Sequence, residues 1–413
     1  DGGHFAVGLN AAGEAVGWVA LSTDLVDIPA YSGKPLVTLV GLDKAGVITG
    51  ARVIHHSEPI LLVGIPEQKL HDFADFYAGK VATAKVVVGS SPDPKAVTVD
   101  VISGATVTAL AMNKTVLDTA RGMGVTVGVI PPEQVFTGHW IEDPKPWTFQ
   151  RMLNERVFGN LRVMEAEMGL PTSKAVFVDI WFTIADAPQI GISLFGLNTY
   201  RWLMKDLKPG EHLLAVVGNG SYSFKGSGFV RGGIFDRIKL EQGLRSVMFR
   251  DHDYTNLSGL AAADATRFKE GAIFKVRTGL LNPGQPFDLV FIGSRYDGVG
   301  AFSRDFHAFS ATHQLPASLY HVDKAEAGGD EIWHQAWYNH RLRAAILIAF
   351  LLVVIGLFAG RRFLTRRIAR LRHIHLAVLT TAFLGAGVWL HAQPSVTQVL
   401  TLVDATVRQW RWG

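Results

Sequence analysis

The sequence predicts three parts in order: an α+β N-terminal domain, a β-rich sandwich-like domain, and C-terminal transmembrane α-helices. Three observations predict them. Turn signals between apolar runs recur, together with two helical stretches, up to about residue 130. Residues 175–184, AVFVDIWFTI, then open a long region of strand formers. Near the end, two apolar runs bracket a cluster of arginines.

The first part spans residues 1–130. HFAVGLNAAGEAVGWVALS reads as two strands around Asn10-Ala11-Ala12-Gly13, and LVTLVGLDKAGVITGARVI repeats the pattern around Asp43-Lys44-Ala45-Gly46. Pro66 suits the first position of a helix running to about Tyr77. VATAKVVVG and AVTVDVI are further strands with a Pro/Asp loop between them, and a second helix follows from Gly104. Consecutive hairpins with two helices predict a mostly antiparallel sheet with helical cover.

Residues 131–170 read as a linker with one helix, because PKPWTFQRMLNERVFGNLRVMEAEMG passes from prolines into helical periodicity. Residues 171–335 are the β-rich second domain. Val176, Val178, Ile180, Phe182 and Ile184 fall on one strand face. HLLAVVG and YSF flank Gly218-Asn219-Gly220, which predicts a hairpin turn. AIFKVRTG and DLVFIGSR are further strands, and ISLFGLNTYRWLMKDL is the domain's helix.

Residues 340–413 read as membrane. The runs 344–360 and 374–390 each hold 17 residues without Asp, Glu, Lys or Arg. At ~1.5 Å rise per residue each is ~26 Å long, near the hydrocarbon thickness once flanking arginines extend to the headgroups. Residues 361–372, RRFLTRRIARLR, carry six arginines and no acid. The positive-inside rule places this Arg361–Arg372 loop in the cytoplasm and the two N-terminal domains in the periplasm of a bacterial inner membrane. Arg341 and Arg343 oppose this orientation but are outnumbered.

Composition narrows the chemistry. The net charge is +4, so without those six arginines the remainder carries −2. The basic character is local, and no nucleic-acid contact is expected. None of the 413 residues is cysteine, which excludes disulfides, thiolate zinc sites and cysteine-held iron–sulfur clusters from this sequence. The first residue is Asp1 and the last four are Trp410-Arg411-Trp412-Gly413, from which we expect an upstream segment and a C-terminal continuation.

One string carries more chemistry than the rest. DVISGATVT, residues 100–108, passes from a strand-like run through Ser103-Gly104 into a helical stretch ending near Gly122. Taken plainly, Ser103 caps a helix and Gly104 hinges it. The wider string, Asp100, two spacers, then Ser103-Gly104-Ala105-Thr106, fits the pattern Asp-x-x-Ser/Thr-Gly-Ala-Thr. It resembles the attachment site of the covalent FMN-binding domain family, found in flavin subunits of sodium-pumping quinone reductases. The resemblance implies FMN bonded through a phosphodiester to Thr106. It also implies that Asp100, Ser103, Gly104 and Ala105 are recognised by a separate flavin transferase. The chemistry agrees: a threonine hydroxyl is a poor nucleophile and needs an outside catalyst. A phosphodiester in the first helical turn sits among unpaired N–H groups at the positive helix end. Thr108 either adds a hydrogen bond or is an ordinary helix residue.

A second string, His55-His56-Ser57-Glu58-Pro59, resembles the family's His-x-Glu-Thr-Pro-Gly segment, with Ser57 and Ile60 as departures. That resemblance puts His56 and Glu58 beside the flavin; the alternative is a surface loop with two histidines. The layout, a flavin domain followed by a large second domain and at least two membrane helices, resembles the NosR family of nitrous oxide respiration. Such proteins continue into a cysteine-rich polyferredoxin. Iron–sulfur clusters are therefore expected only in a C-terminal region beyond these residues.

Other candidates read more plainly. His340, His391, His373 and His375 fall at the ends of the expected membrane helices and read as interfacial residues rather than haem or quinol ligands. Asp251-His252-Asp253 reads as a polar turn and not a metal site. FKGSGFVRGG, residues 224–233, is glycine-rich without phosphate-loop spacing. We nominate no catalytic residue and no metal. The resemblance implies electron transfer from the quinol pool toward nitrous-oxide reductase or its maturation. The partners would be a flavin transferase, that reductase system, the quinol pool and the lipid bilayer. A redox-sensing regulator of reductase expression and a docking or assembly protein stay open as alternatives.

Overall fold

The computed structural model describes residues 5–59, 65–102, 104–133, 138–143, 145–170, 174–226, 233–296 and 304–323. Its first sheet forms as the sequence predicts. Strands β1 (Ala6–Leu9) and β2 (Ala15–Leu21) pair antiparallel. Asn10 Oδ1 accepts from Ala12 N at 3.0 Å and Glu14 N at 2.9 Å, which closes the turn between them. One turn of helix, α1 (Ser22–Leu25), leads to β3 (Val37–Asp43) and β4 (Ile48–His55). Here Asp43 Oδ1 accepts from Ala45 N and Val47 N, both at 2.8 Å. The sheet order is β1-β2-β3-β4.

Helix α2 (Gln68–Asp75) starts two residues after Pro66, and Tyr77 lies in the turn that follows it. Strands β5 (Val86–Val88) and β6 (Val97–Val99) pair with each other in parallel, apart from the first sheet. The expected mostly antiparallel arrangement does not extend to them. At Gly89, with φ +91°, the chain leaves β5 toward Phe306, and Ser90 N donates to the Phe306 carbonyl at 2.9 Å. It then returns through a turn held by Asp93 and re-enters in the same direction.

Helix α3 (Thr106–Thr126) follows, starting two residues after Gly104. Its buried residues occupy every side, from Val107 and Thr108 through Leu117 and Thr119 to Met123 and Gly124. A helix with so broad an apolar surface must be covered on more than one face. It packs against β2, β3 and β5 on the N-terminal side of the fold and against a later strand on the other.

The stretch 131–170, expected as a linker with one helix, holds more regular structure. It contains β7 (Gly138–Trp140), the six-residue α4 (Phe149–Asn154) and β8 (Gly159–Met164). Gly159, Leu161 and Val163 are buried while Asn160 and Arg162 face outward, the two-residue period of a half-covered strand. The helical periodicity of the preceding residues masked it.

The β-rich part is a two-sheet sandwich. It begins with β9 (Val176–Ile184), which is internal to its sheet and buried along most of both faces. The expected single helix is two, α5 (Pro188–Phe195) and α6 (Leu197–Lys205), broken at Gly196, whose φ of +78° no helix accommodates. Then come β10 (His212–Asn219), β11 (Ile234–Gln242), β12 (Arg245–Arg250) and β13 (Tyr254–Asn256). The series ends with β14 (Glu270–Val276), β15 (Phe287–Tyr296), β16 (Arg304–His313) and β17 (Tyr320–Val322). One sheet runs β13-β14-β10-β9-β8 and the other β12-β11-β15-β16. Phe249 stacks on Phe274 at 4.4 Å between ring centres, and Phe182 meets Phe287 edge-on at 6.0 Å, so the two inner faces interdigitate.

Gly218-Asn219-Gly220 does not turn a hairpin. β10 pairs with β9 and β14, and YSF leaves the strand direction so that Phe224 fills the core. Glu270 holds this bend by accepting from Phe224 N at 2.7 Å and Ser223 Oγ at 2.6 Å. Full burial of a phenylalanine side chain is worth about 1.5–3 kcal/mol and favours this bend.

The outer face of the four-stranded sheet covers α3. Val290, Ile292 and Ala308 join the same apolar cluster as Leu110, Val116 and Met123. Lys114 Nζ donates to the Ser246 carbonyl, and Arg121 Nη1 donates to the Leu244 carbonyl at 2.8 Å. Among the described residues no helix is long and apolar enough to cross a membrane. The expected spans 344–360 and 374–390, with the Arg361–Arg372 loop, lie outside them, as do His340, His373, His375 and His391.

Candidate functional site

The site forms where β6 gives way to α3. Ile102 ends the extended run, and Ala105 N donates back to the Ile102 carbonyl at 2.8 Å. Gly104 sits between them at φ +82°, a left-handed conformation that costs any other residue about 1–2 kcal/mol. A Cβ on Gly104 would lie 3.3 Å from Ile65 Cδ1, a tight contact that the glycine avoids. Ala105 occupies the N-cap position and offers no side-chain cap. The first closed turn runs from Ala109 N to the Ala105 carbonyl. The N–H groups of Thr106, Val107 and Thr108 therefore have no intrahelical acceptor, and the positive end of a 21-residue helix lies here.

Thr106 is the first helical residue and is half-buried. Thr108, two positions on, points about 200° away and is fully buried. Its hydroxyl donates to Glu58 Oε2. Glu58 Oε1 accepts from Ser32 N at 2.9 Å, so this buried carboxylate ties the 30–34 turn and the 55–59 segment to the start of α3. His56 Nδ1 lies 3.4 Å from Glu58 N as acceptor, and His56 Nε2 lies 3.2 Å from Glu67 Oε1. With Nδ1 accepting, the proton sits on Nε2 and donates to Glu67.

The sequence-predicted residues thus divide into two sets. Gly104, Ala105 and Thr106 form the turn into α3, with Asp100 exposed before it. Glu58, Thr108 and His56 form a hydrogen-bonded cluster behind it. Ser103 lies outside the described residues. Sequence reasoning missed Ser32 and Glu67. Nothing local links Ser32 to a carboxylate 26 residues away, whereas an acid beside Pro66 was a signal worth testing as a partner for His56.

Deeper in the same core, Tyr77 donates to Asn113 Oδ1 at 2.7 Å. Burial pushes the Tyr77 phenol far above its ordinary range, so it stays a neutral donor. A cavity of about 310 Å³ lies between α3 and β11–β12. Its charged groups largely answer one another: Lys114 meets Asp118 at 2.6 Å and Lys239 meets Glu241 at 2.5 Å. Burial works to raise the Glu241 carboxyl, but Lys239, through charge and hydrogen bond, together with the charges of Lys85 and Arg121 holds it below its usual range. In the Asp251–Asp253 turn, buried Asp253 receives Arg277 at 3.0 Å, a structural ion pair. Of the 224–233 stretch, residues 227–232 lie outside the described residues.

Comparison with known proteins agrees with this geometry. The FMN-binding domain model matches residues 31–121, from Tyr31 beside Ser32 to Arg121 on α3. The chain is 37% identical to "Regulatory protein NosR" of Stutzerimonas stutzeri, over 97% of this chain and 59% of that protein. It is 36% identical to "Regulatory protein NosR" of Pseudomonas aeruginosa, over 98% of this chain and 60% of that one. It is 30% identical to "Protein NirI" of Paracoccus denitrificans, over 98% of this chain and 59% of that one. The chain thus spans about 60% of the length of the curated relatives it matches. No solved structure matches it. The chain is NosR-like along nearly its whole length and carries an FMN-binding domain.

Proposed function

We propose that this chain is a membrane-anchored flavoprotein that carries FMN covalently on Thr106 through a phosphodiester. It passes electrons from the quinol pool toward nitrous-oxide reductase or its maturation. The observation that supports this most is the start of α3: a half-buried threonine hydroxyl beside backbone N–H groups that have no intrahelical acceptor and no cap from the Ala105 side chain, inside the region matched by the FMN-binding domain. An anionic phosphodiester fits that end of the helix, and the left-handed Gly104 leaves room for it.

The residues then take these roles. Thr106 Oγ holds the phosphate, and the first-turn N–H groups of α3 stabilise its charge. Asp100, Ser103, Gly104 and Ala105 form the segment that a flavin transferase recognises. Glu58, clamped by Thr108 and Ser32, keeps the 55–59 segment against α3, and His56 lies on that segment with Glu67 fixing its ring. Bound FMN supplies the electron-transfer chemistry; the scaffold holds and tunes it. The spans 344–360 and 374–390 anchor the chain in a bacterial inner membrane, with the domains on the periplasmic side and Arg361–Arg372 cytoplasmic.

The printed name of two relatives, a regulatory protein, favours a second reading. In it the flavin reports redox state and the membrane region relays it to reductase expression. The two readings differ in what reoxidises the flavin. Rapid reoxidation of reduced flavin by the reductase system supports electron transfer. Loss of reductase transcription, with flavin reoxidation intact, supports the regulator.

The attachment itself is tested first. The chain is expressed with an active flavin transferase, denatured and run on a gel under ultraviolet light. A fluorescent band that disappears in Thr106→Val is expected. A dark parent band beside a labelled control protein overturns the covalent assignment.

A further inference from the structure

Away from the flavin site, a two-stranded ribbon closes one end of the sandwich. In it β7 and β17 pair antiparallel, with His139 directly opposite His321 and Trp140 directly opposite Tyr320. Alternation along each strand puts the two kinds of residue on opposite faces. The aromatic face is held inward: Trp140 meets Tyr320 at 5.0 Å and the buried His212 ring at 6.2 Å between ring centres. Ile141 N extends the pairing to the Leu319 carbonyl at 2.8 Å. The histidine face is open to solvent.

We infer that this face is a binding site for a divalent transition-metal ion, chelated by His139 and His321. The two imidazole rings stand 5.3 Å apart between centres, at 47° to each other. Opposed residues of an antiparallel pair hold their Cβ atoms about 4.5–5.5 Å apart. From that spacing two ring nitrogens reach one ion at about 2.0–2.1 Å by side-chain rotation alone. A second feature points to a ligand. His139 Nδ1 lies 3.4 Å from Asp323 Oδ1, so a carboxylate stands beside one ring nitrogen while Nε2 is the other possible ligand atom. A carboxylate behind a histidine in this way is the usual orienting arrangement for an imidazole ligand.

Among the described residues no three histidine or acidic side chains already converge on one point. The site is accordingly a two-imidazole chelate, with Asp323 as the orienting group and solvent completing the coordination. Imidazole donors select the later first-row ions, and the stability order puts Cu²⁺ above Zn²⁺. The rigid aromatic face fixes the register of the two histidines before the ion arrives. Little ordering remains for binding to impose.

The experiment titrates the full chain in detergent with Cu²⁺ alone, and separately with Zn²⁺. The parent is expected to take up one Cu²⁺ whose electron paramagnetic resonance shows coupling to two imidazole nitrogens. His139→Ala and His321→Ala should each weaken that site at least about tenfold, and Asp323→Asn about tenfold. Cu²⁺ should raise the melting temperature of the parent and leave the double variant's unchanged, since the ion ties together segments distant in the chain. Both rings are exposed, so metal-free melting should match the parent; His321→Gln repeats the test should the alanine variant fail to fold. Equal Cu²⁺ affinity in parent and double variant, with any of the other histidines holding the ion, overturns the inference. So does a parent spectrum without nitrogen coupling.

Discussion

The hydroxyl of Thr108 donates to the carboxylate of Glu58, a pair 50 residues apart in the chain and shut off from solvent. Glu58 is only 1% exposed, so it depends on this donor and on Ser32 N. Thr108→Val keeps the shape and removes the donor. We expect it to destabilise the fold by about 1–3 kcal/mol, the cost of an under-satisfied buried polar group. Chemical denaturation checks this. A double-mutant cycle with Glu58→Ala should give a coupling well above the error. Additive effects would show that the two side chains do not act on each other.

Flavin attachment should respond differently to two changes at the helix start. Thr106→Ser keeps the hydroxyl and should keep the fluorescent band. Gly104→Ala must place a Cβ at φ +82° and 3.3 Å from Ile65 Cδ1. A strain of about 1–2 kcal/mol reduces the competent conformation by roughly five- to thirtyfold. The band should fade accordingly, while circular dichroism stays near that of the parent. Full labelling of Gly104→Ala would show that the left-handed turn is not needed.

Much of this arrangement was legible because it is local. Asn10 and Asp43 close hairpins through their own neighbours, and Gly104 marks the hinge before Thr106. What was not legible depends on distant partners. The role of Thr108 requires Glu58, and the all-round burial of α3 requires Val290, Ile292 and Ala308 from the far end of the described chain. The Gly218-Asn219-Gly220 turn signal lost to a core position for Phe224 that only the opposite sheet creates. Strand β8 hid behind helical periodicity because its two-residue alternation spans just six residues.

Arg121 ties helix α3 both to the 82–84 segment of its own part and to the sandwich. Its Nε donates to the Ala82 carbonyl at 2.9 Å, Nη2 to the Ala84 carbonyl at 3.1 Å, and Nη1 to the Leu244 carbonyl at 2.8 Å. Arg121→Ala leaves three carbonyls short of a charged donor and should cost about 3 kcal/mol. Arg121→Lys should recover only part, because one ammonium cannot match a guanidinium that donates in three directions. Because the two parts share a core, unfolding should remain a single transition in the parent. A separate early transition in the parent would show that the two parts are energetically independent.

His313 makes stability depend on pH. It is 8% exposed, and burial lowers its pKa from the ordinary 6.5, while its hydrogen bond to the Val157 carbonyl at 2.9 Å partly opposes the shift. On acidification the unfolded chain therefore takes up this proton before the folded chain does. The contribution of His313 is fully present above about pH 6.5 and is lost as pH falls from there toward the folded-state value. His313→Gln keeps a donor for Val157 but cannot titrate. Unfolding free energies of parent and variant, measured by denaturant between about pH 7.5 and 5.5, should differ by an amount that shifts against the parent toward acid. One proton limits that slope to about 1.4 kcal/mol per pH unit. His307 also has a lowered pKa, again from burial first, and it remains in both proteins. Its contribution therefore cancels in the difference, and a difference that stays flat with pH would show that His313 is not protonated differently in the two states.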